Sequence, residues 1–188
     1  MKVLIIDNYD SFTYNLVQLL EQTGLCEYQV FKNAEIIIDK VNEFDKILLS
    51  PGPGLPADAG KMNEIIRTFY KTKSILGICL GHQAIAEVFG GKLENLSKPL
   101  HGIKEEIIID STDYLFEGIP RMIYGGLYHS WAVEKDTLPS SLKIIAENKS
   151  GIVLGISHHE FDVKGLQFHP ESVMTEYGAA IIKNWLRH

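Results

Sequence analysis

The sequence is poor in cysteine. Its two thiols, Cys26 and Cys79, fall short of the disulfide framework of a small secreted domain, so a reduced, cytoplasmic setting is expected. There is no CxxC pair and no helical HExxH, which leaves no sequence support for a metal site. Long apolar runs are also missing. Lys2-Val3-Leu4-Ile5-Ile6 is closed by Asp7, too early for a signal-peptide core or a membrane span. No basic run occurs and the formal charge is -6, which argues against a broad nucleic-acid footprint and against tight binding to anionic membranes. Repeats, low-complexity tracts and linkers rich in Pro, Gly or Ser are absent. What is present is apolar bulk. At 45% hydrophobic, the 188 residues can bury a full core, and a single domain over 1–188 is the default expectation.

The first half alternates short apolar runs with amphipathic segments. Lys2 to Asp7, Tyr28 to Phe31, Asp45 to Ser50 and Ser74 to Leu76 read as strands. Phe12 to Gln22 carries Leu16, Leu19 and Leu20 at helical spacing, with Asp10-Ser11 as the expected N-cap and Gly24 as the stop. Lys61 to Tyr70 places Met62, Ile65, Ile66 and Phe69 on one helical face, and His82 to Glu87 reads as a further helix. Beyond Gly91 strands dominate: Ile103 to Asp110, Arg121 to Leu127, Leu142 to Glu147, Ile152 to His158 and Gly165 to Phe168. A last helix spans Gly178 to Leu186. The pattern predicts an α/β fold with a doubly wound, mostly parallel sheet, extended by antiparallel strands or a side ribbon. Sites in such sheets gather at the carboxyl ends of the parallel strands. Asn8-Tyr9-Asp10-Ser11, Pro51-Gly52-Pro53-Gly54 and the turn around Cys79 all follow strands and so share one rim.

That last turn is the most informative segment. Gly77-Ile78-Cys79-Leu80-Gly81 joins a strand to a helix in the G-x-nucleophile-x-G pattern that holds a reactive side chain out on a strained elbow. The helix start and a neighbouring histidine would favour the Cys79 thiolate. Among seven histidines, His169 is the partner of choice. Residues two apart in an extended segment share a face, so Glu171 can orient its imidazole. Acyl transfer also needs donors for an oxyanion. The Leu80 N–H is the first expected. The second should come from the Pro-Gly-Pro-Gly turn, where Pro53 has no N–H and Gly52 or Gly54 must serve. One such donor is typically worth about 3–4 kcal/mol of barrier.

Together these segments, with Asn8 to Thr13, Ser50 to Gly54, Gly77 to Gln83, Tyr128-His129-Ser130 and Gln167 to Ser172, resemble the class I (triad) glutamine amidotransferases over essentially the whole chain. The likeness is greatest to the small subunits of anthranilate synthase and aminodeoxychorismate synthase. It implies a flavodoxin-like fold and a glutaminase in which Cys79 is the nucleophile, His169 the base and Glu171 its orienter. It further implies an oxyanion hole from the Leu80 and Gly52 backbone. L-glutamine would be held by Gly52, Pro53, Gly54, Gln83, Ser130 and Trp131. The partner implied is a chorismate-binding large subunit that receives ammonia and carries the Mg²⁺, with no cofactor in this chain. Anthranilate and aminodeoxychorismate remain open as products. Two departures from the family pattern are Ile103, which intervenes between His101-Gly102 and Lys104, and Trp131 in place of Leu.

Milder roles suit other residues. Cys26 reads as a buried apolar thiol. His82 reads as a structural hydrogen-bonding residue at a helix start, and His101, His129, His158 and His159 as surface or network residues. Tyr9, Phe12 and Tyr14 suit either a docking surface or the core. A γ-glutamyl hydrolase or related cysteine peptidase would share the elbow; Gln83 with the Pro-Gly-Pro-Gly loop favours free glutamine instead.

Overall fold

The computed structural model describes residues 1–188. In chain order the regular elements are β1 (Lys2–Asp7), α1 (Thr13–Thr23), β2 (Glu27–Lys32), β3 (Lys46–Leu49), α2 (Met62–Phe69), β4 (Ser74–Ile78) and α3 (Leu80–Val88). There follow β5 (Leu93–Ile109), β6 (Met122–Val133), β7 (Leu142–Glu147), β8 (Val153–His158), β9 (Val163–Leu166) and α4 (Gly178–Arg187). Short 3₁₀ turns sit at Ile38–Glu43, Pro56–Asp58, Tyr114–Phe116 and Lys135–Thr137.

One nine-stranded sheet runs in the order β2-β1-β3-β4-β9-β8-β7-β5-β6. The first five strands are parallel, in flavodoxin-like order, and the rest pair antiparallel. Alternation along each central strand feeds two cores. Val3, Ile5, Leu48, Leu76 and Ile78 pack with Leu16, Leu20, Ile181 and Trp185 of α1 and α4. Leu4, Ile6, Ile47, Leu49 and Ile75 pack with Ile65, Phe69, Ala84 and Ile85 of α2 and α3. Period-2 burial on both faces is why these strands read as near-continuous apolar runs.

Two segments depart from expectation. Strands β5 and β6 are longer than their apolar cores, forming a ribbon whose early part contains Pro99 and several polar residues. Pairing jumps from Asn95↔Trp131 to Leu100↔His129, so Leu96 to Pro99 bulge opposite Ser130. A proline in a strand is tolerated at such a break. A second bulge falls at Gly102, whose φ of +68° takes up the extra residue between His101 and Ile103. The start of α1 also differs. Asp10 does not cap the helix; its Oδ1 accepts from Phe12 N–H at 2.7 Å in a local turn, and Phe12 occupies the cap position without a side-chain bond. Asp7 organises the loop instead, accepting from Tyr9 N–H and Thr13 Oγ1, both at 2.9 Å.

Candidate active site

The carboxyl ends of β1, β3, β4 and β9 converge at one rim, as the strand order requires. At β4 the chain turns through Cys79 with φ 52°, ψ -97°, a left-handed conformation rare for a non-glycine residue. Neighbouring structure holds the strain in place. Cys79 N–H donates to Leu166 O at 2.7 Å, and Cys79 O accepts from Gln83 N–H at 3.1 Å. The flanking glycines are demanded by space. A Cβ on Gly77 would strike the Gly81 carbonyl, and one on Gly81 would lie 2.7 Å from Leu49 Cβ. The elbow places Cys79, a residue 6% exposed, on the wall of a cleft of about 540 Å³ and sets it at the N-terminus of α3. Leu80, as first residue of α3, presents an N–H without an intrahelical acceptor.

His169 lies just beyond β9 and is pinned from three sides. Its N–H donates to Gly126 O of β6 at 3.0 Å, its carbonyl accepts from Thr175 Oγ1, and its Nδ1 donates to Glu171 Oε1 at 2.6 Å. The rings of Tyr128 and Phe12 stand edge-on to the imidazole at 4.9 and 6.1 Å between centroids. Burial works against the His169 cation, but hydrogen bonding and charge from Cys79 and Glu171 outweigh it and lift the group to about 10. Nε2 has no hydrogen-bond partner of regular geometry in this resting arrangement. The Cys79 sulfur lies near enough to His169 to contribute to that upward shift.

The cleft wall brings the remaining expected residues together. Gly52, Pro53 and Gly54 line one side, and Gln83, Ser130 and Trp131 the other. Gly52 N–H donates to no protein group. Gly52 packs so closely that an added Cβ would lie 2.5 Å from Asn8 Cβ and 2.8 Å from Leu80 Cδ2. Ser130 falls at the β5 bulge, outside the ladder register, and its Oγ meets His101 Nε2 at 3.0 Å. Trp131 O accepts from Gln83 Nε2 and from His129 Nδ1, each at 2.8 Å. Because a carbonyl only accepts, His129 is the Nδ1–H tautomer, and burial pushes it down to about 4. His129 is therefore a buried network residue; His158 is also buried, and its Nδ1 accepts from the N–H groups of Glu160 and Phe161.

His82 differs from expectation. It is fully buried between α3 and Gly165, and neither ring nitrogen makes a hydrogen bond of regular geometry. Burial drives it down to about 3, with the Gly165 backbone countering only part of the effect. It is a neutral packing residue. Gln167 opens one of the sequence motifs, yet the sequence assigns it no role. It is wholly buried, and its Nε2 approaches Cys79 Sγ at 3.5 Å. It lies in the bend just after β9, beside Phe168, which enters the core. Tyr9 and Tyr14 are exposed on the rim, and Phe12 is half-buried against Tyr128. No cluster of three or more His, Cys, Asp or Glu side chains is arranged to hold a metal, and no helix is long and apolar enough to cross a membrane.

A thiol on a strained elbow, a buried His–Glu pair and free N–H groups around one cleft form an arrangement suited to attack on an acyl carbon. Known proteins agree in family. Residues 4–188 match the model of class I glutamine amidotransferases. The bifunctional protein TrpGD of Thermotoga maritima is 44% identical over 98% of this chain, which spans only 32% of that longer protein. The aminodeoxychorismate/anthranilate synthase component 2 of Bacillus subtilis is 42% identical, with 98% of this chain and 95% of that one covered. The putative anthranilate synthase component II of Haemophilus influenzae is 39% identical, covering 99% and 96%. The crystal structure of a putative GMP synthase subunit from Thermoplasma acidophilum superposes with a TM-score of 0.89 over 100% of this chain and 92% of that one, at 26% identity. On sequence, fold and site geometry, this chain belongs to the class I glutamine amidotransferase family.

Proposed function

We propose that this chain is the glutaminase subunit of a chorismate-using synthase, releasing ammonia from L-glutamine for a larger chorismate-binding partner that makes anthranilate. The observation that carries the reading is the Cys79 elbow facing the buried His169–Glu171 pair across one cleft. The Cys79 thiolate attacks the side-chain amide carbon of glutamine. The developing oxyanion is met by the N–H groups of Leu80 and Gly52. His169, held cationic by its surroundings, gives its proton to the departing nitrogen, and ammonia leaves a glutamyl thioester. Neutral His169 then takes a proton from water, which attacks the thioester. Glutamate forms and the thiolate is regenerated. Glu171 keeps Nδ1 protonated and Nε2 directed at the chemistry throughout.

Binding follows from what the cleft leaves free. Both Gln83 amide hydrogens are spent, on Trp131 O and on Gln167 Oε1, so its own oxygen remains to accept from the α-ammonium of glutamine. The unpaired backbone at Ser130, with the Gly54 loop, suits the α-carboxylate, and the backbone alone is used at Trp131. The exposed rim around Tyr9 and Tyr14 faces the partner. This chain needs no cofactor; Mg²⁺ belongs with chorismate on the partner. Two unpaired cysteines fit a reduced cytoplasmic compartment. The dual name of the Bacillus relative favours a second use, supplying ammonia for aminodeoxychorismate through another large subunit.

The test mixes this chain with each chorismate-binding large subunit of its source, with chorismate, glutamine and Mg²⁺. Anthranilate from one mixture supports the reading, and aminodeoxychorismate from the other adds the second use. Cys79→Ala should abolish product from glutamine while product from ammonium salts persists. Glutamine-dependent product that survives Cys79→Ala would overturn it.

A further inference from the structure

The amide of Gln167 is polarised by a hydrogen-bond chain that begins on a backbone carbonyl. Trp131 O can only accept. The Gln83 atom facing it at 2.8 Å must therefore be nitrogen. That same nitrogen lies 3.1 Å from Gln167, whose facing atom must then be oxygen. The Gln167 nitrogen is left turned toward Cys79 Sγ at 3.5 Å, an ordinary N–H···S separation. Swapping either amide would set N–H against N–H or leave the Trp131 carbonyl facing an oxygen. Gln167 and Gln83 are both buried, with exposures of 0% and 3%, so water does not compete for these bonds. Thr175 and Gly126 hold His169 from the opposite side and make no contact with this chain of amides.

The geometry points to Gln167 as a positioning residue for the reactive sulfur: its N–H donates to Cys79 Sγ and favours the thiolate, with its direction dictated by Trp131 O through Gln83. The inference rests on the reading of Cys79 as the nucleophile. A donor aimed at an anion stabilises the charged form. It acts before attack and again as the sulfur leaves the thioester. No proton need be transferred along the chain, because both glutamines are neutral and keep their hydrogens. The device also ties the sulfur to β6, since displacement of the Trp131 carbonyl would free Gln83 and with it the orientation of Gln167.

Alkylation of Cys79 by iodoacetamide between pH 5 and 10, in a Cys26→Ser background, reads the thiolate directly. Gln167→Met fills the space without donating. Its alkylation midpoint is expected to rise by about one pH unit, with the rate at pH values below the parent midpoint falling about tenfold. Gln167→Leu likewise removes the donor without adding charge, so its midpoint should rise as far. A role in packing alone would leave Gln167→Met and Gln167→Leu at the parent midpoint, and that result overturns the proposal. If Gln167→Met gives no cooperative melt, Gln167→Leu decides alone. Glutamine hydrolysis by the parent chain with its partner is scored separately. Its absence alongside shifted midpoints would sink the amidotransferase reading and leave the donor, while activity with unshifted midpoints would sink only the donor.

Discussion

Acid should weaken this protein through a histidine that takes no part in the chemistry. His82 is sealed between α3 and β9 and remains neutral down to about 3, because burial makes its cation costly. In the unfolded chain the same side chain takes up a proton near 6.5. Between those values the unfolded state holds one more proton than the folded state, so stability falls as pH falls. Each pH unit costs about 1.4 kcal/mol per group, so lowering the pH from 7 to 5 removes about 2 kcal/mol through His82 alone. The figure requires only that the folded-state value lie below 5. Replacing His82 by Met removes the titration and retains most of the volume. Urea denaturation of both proteins at half-unit steps from pH 7 to 5 gives the difference curve. Any constant offset from repacking against Gly165 is immaterial, and His129 contributes equally to both. The variant should gain about 2 kcal/mol on the native chain across that range. Parallel stability curves would refute the reasoning, since they would mean His82 is protonated, or solvated, in the folded state.

Three further substitutions probe the site. Glu171→Gln puts an amide against His169 Nδ1 and spoils both tautomer and charge, so glutamine-dependent kcat should drop by up to about 10⁴-fold with little change in thermal midpoint. Gly52→Ala forces a Cβ against Asn8 and Leu80 and shifts the loop donor; kcat should fall about 10²–10³-fold with KM less affected, and an unchanged kcat would remove Gly52 from the oxyanion hole. Thr175→Val strips partners from Gly126 N–H and His169 O and should cost about 1–3 kcal/mol in a denaturant titration.

The strands and helices readable from sequence share one property, a periodicity enforced by local burial. β1 and β3 are short apolar runs because both their faces are covered. The apolar stripe of α2, with Met62, Ile65, Ile66 and Phe69, is set by the single core it meets. Where no such pattern exists, reading failed. The early part of β5 is mostly exposed, breaks at Pro99 and bulges at Gly102, so its strand character comes from β6 alongside it rather than from its own residues. Asp10 has the right chemistry for a cap, yet Asp7 takes over because the loop turns at Tyr9 with a φ of 62°.

The site divides in the same way. Sequence by itself determined the elbow and the His169–Glu171 pair, because the two glycines, the strand-to-helix turn and the two-residue spacing are constraints acting over a few residues. It also determined that Gly52 and Leu80 are candidates for backbone donors. Only the tertiary structure decided that β4 and β9 lie side by side, which brings residues 90 positions apart into one cleft. It alone gave Gln167 a direction and left His82 buried without a hydrogen bond of regular geometry, because the polarity of an amide and the solvation of a ring depend on what long-range packing places next to them.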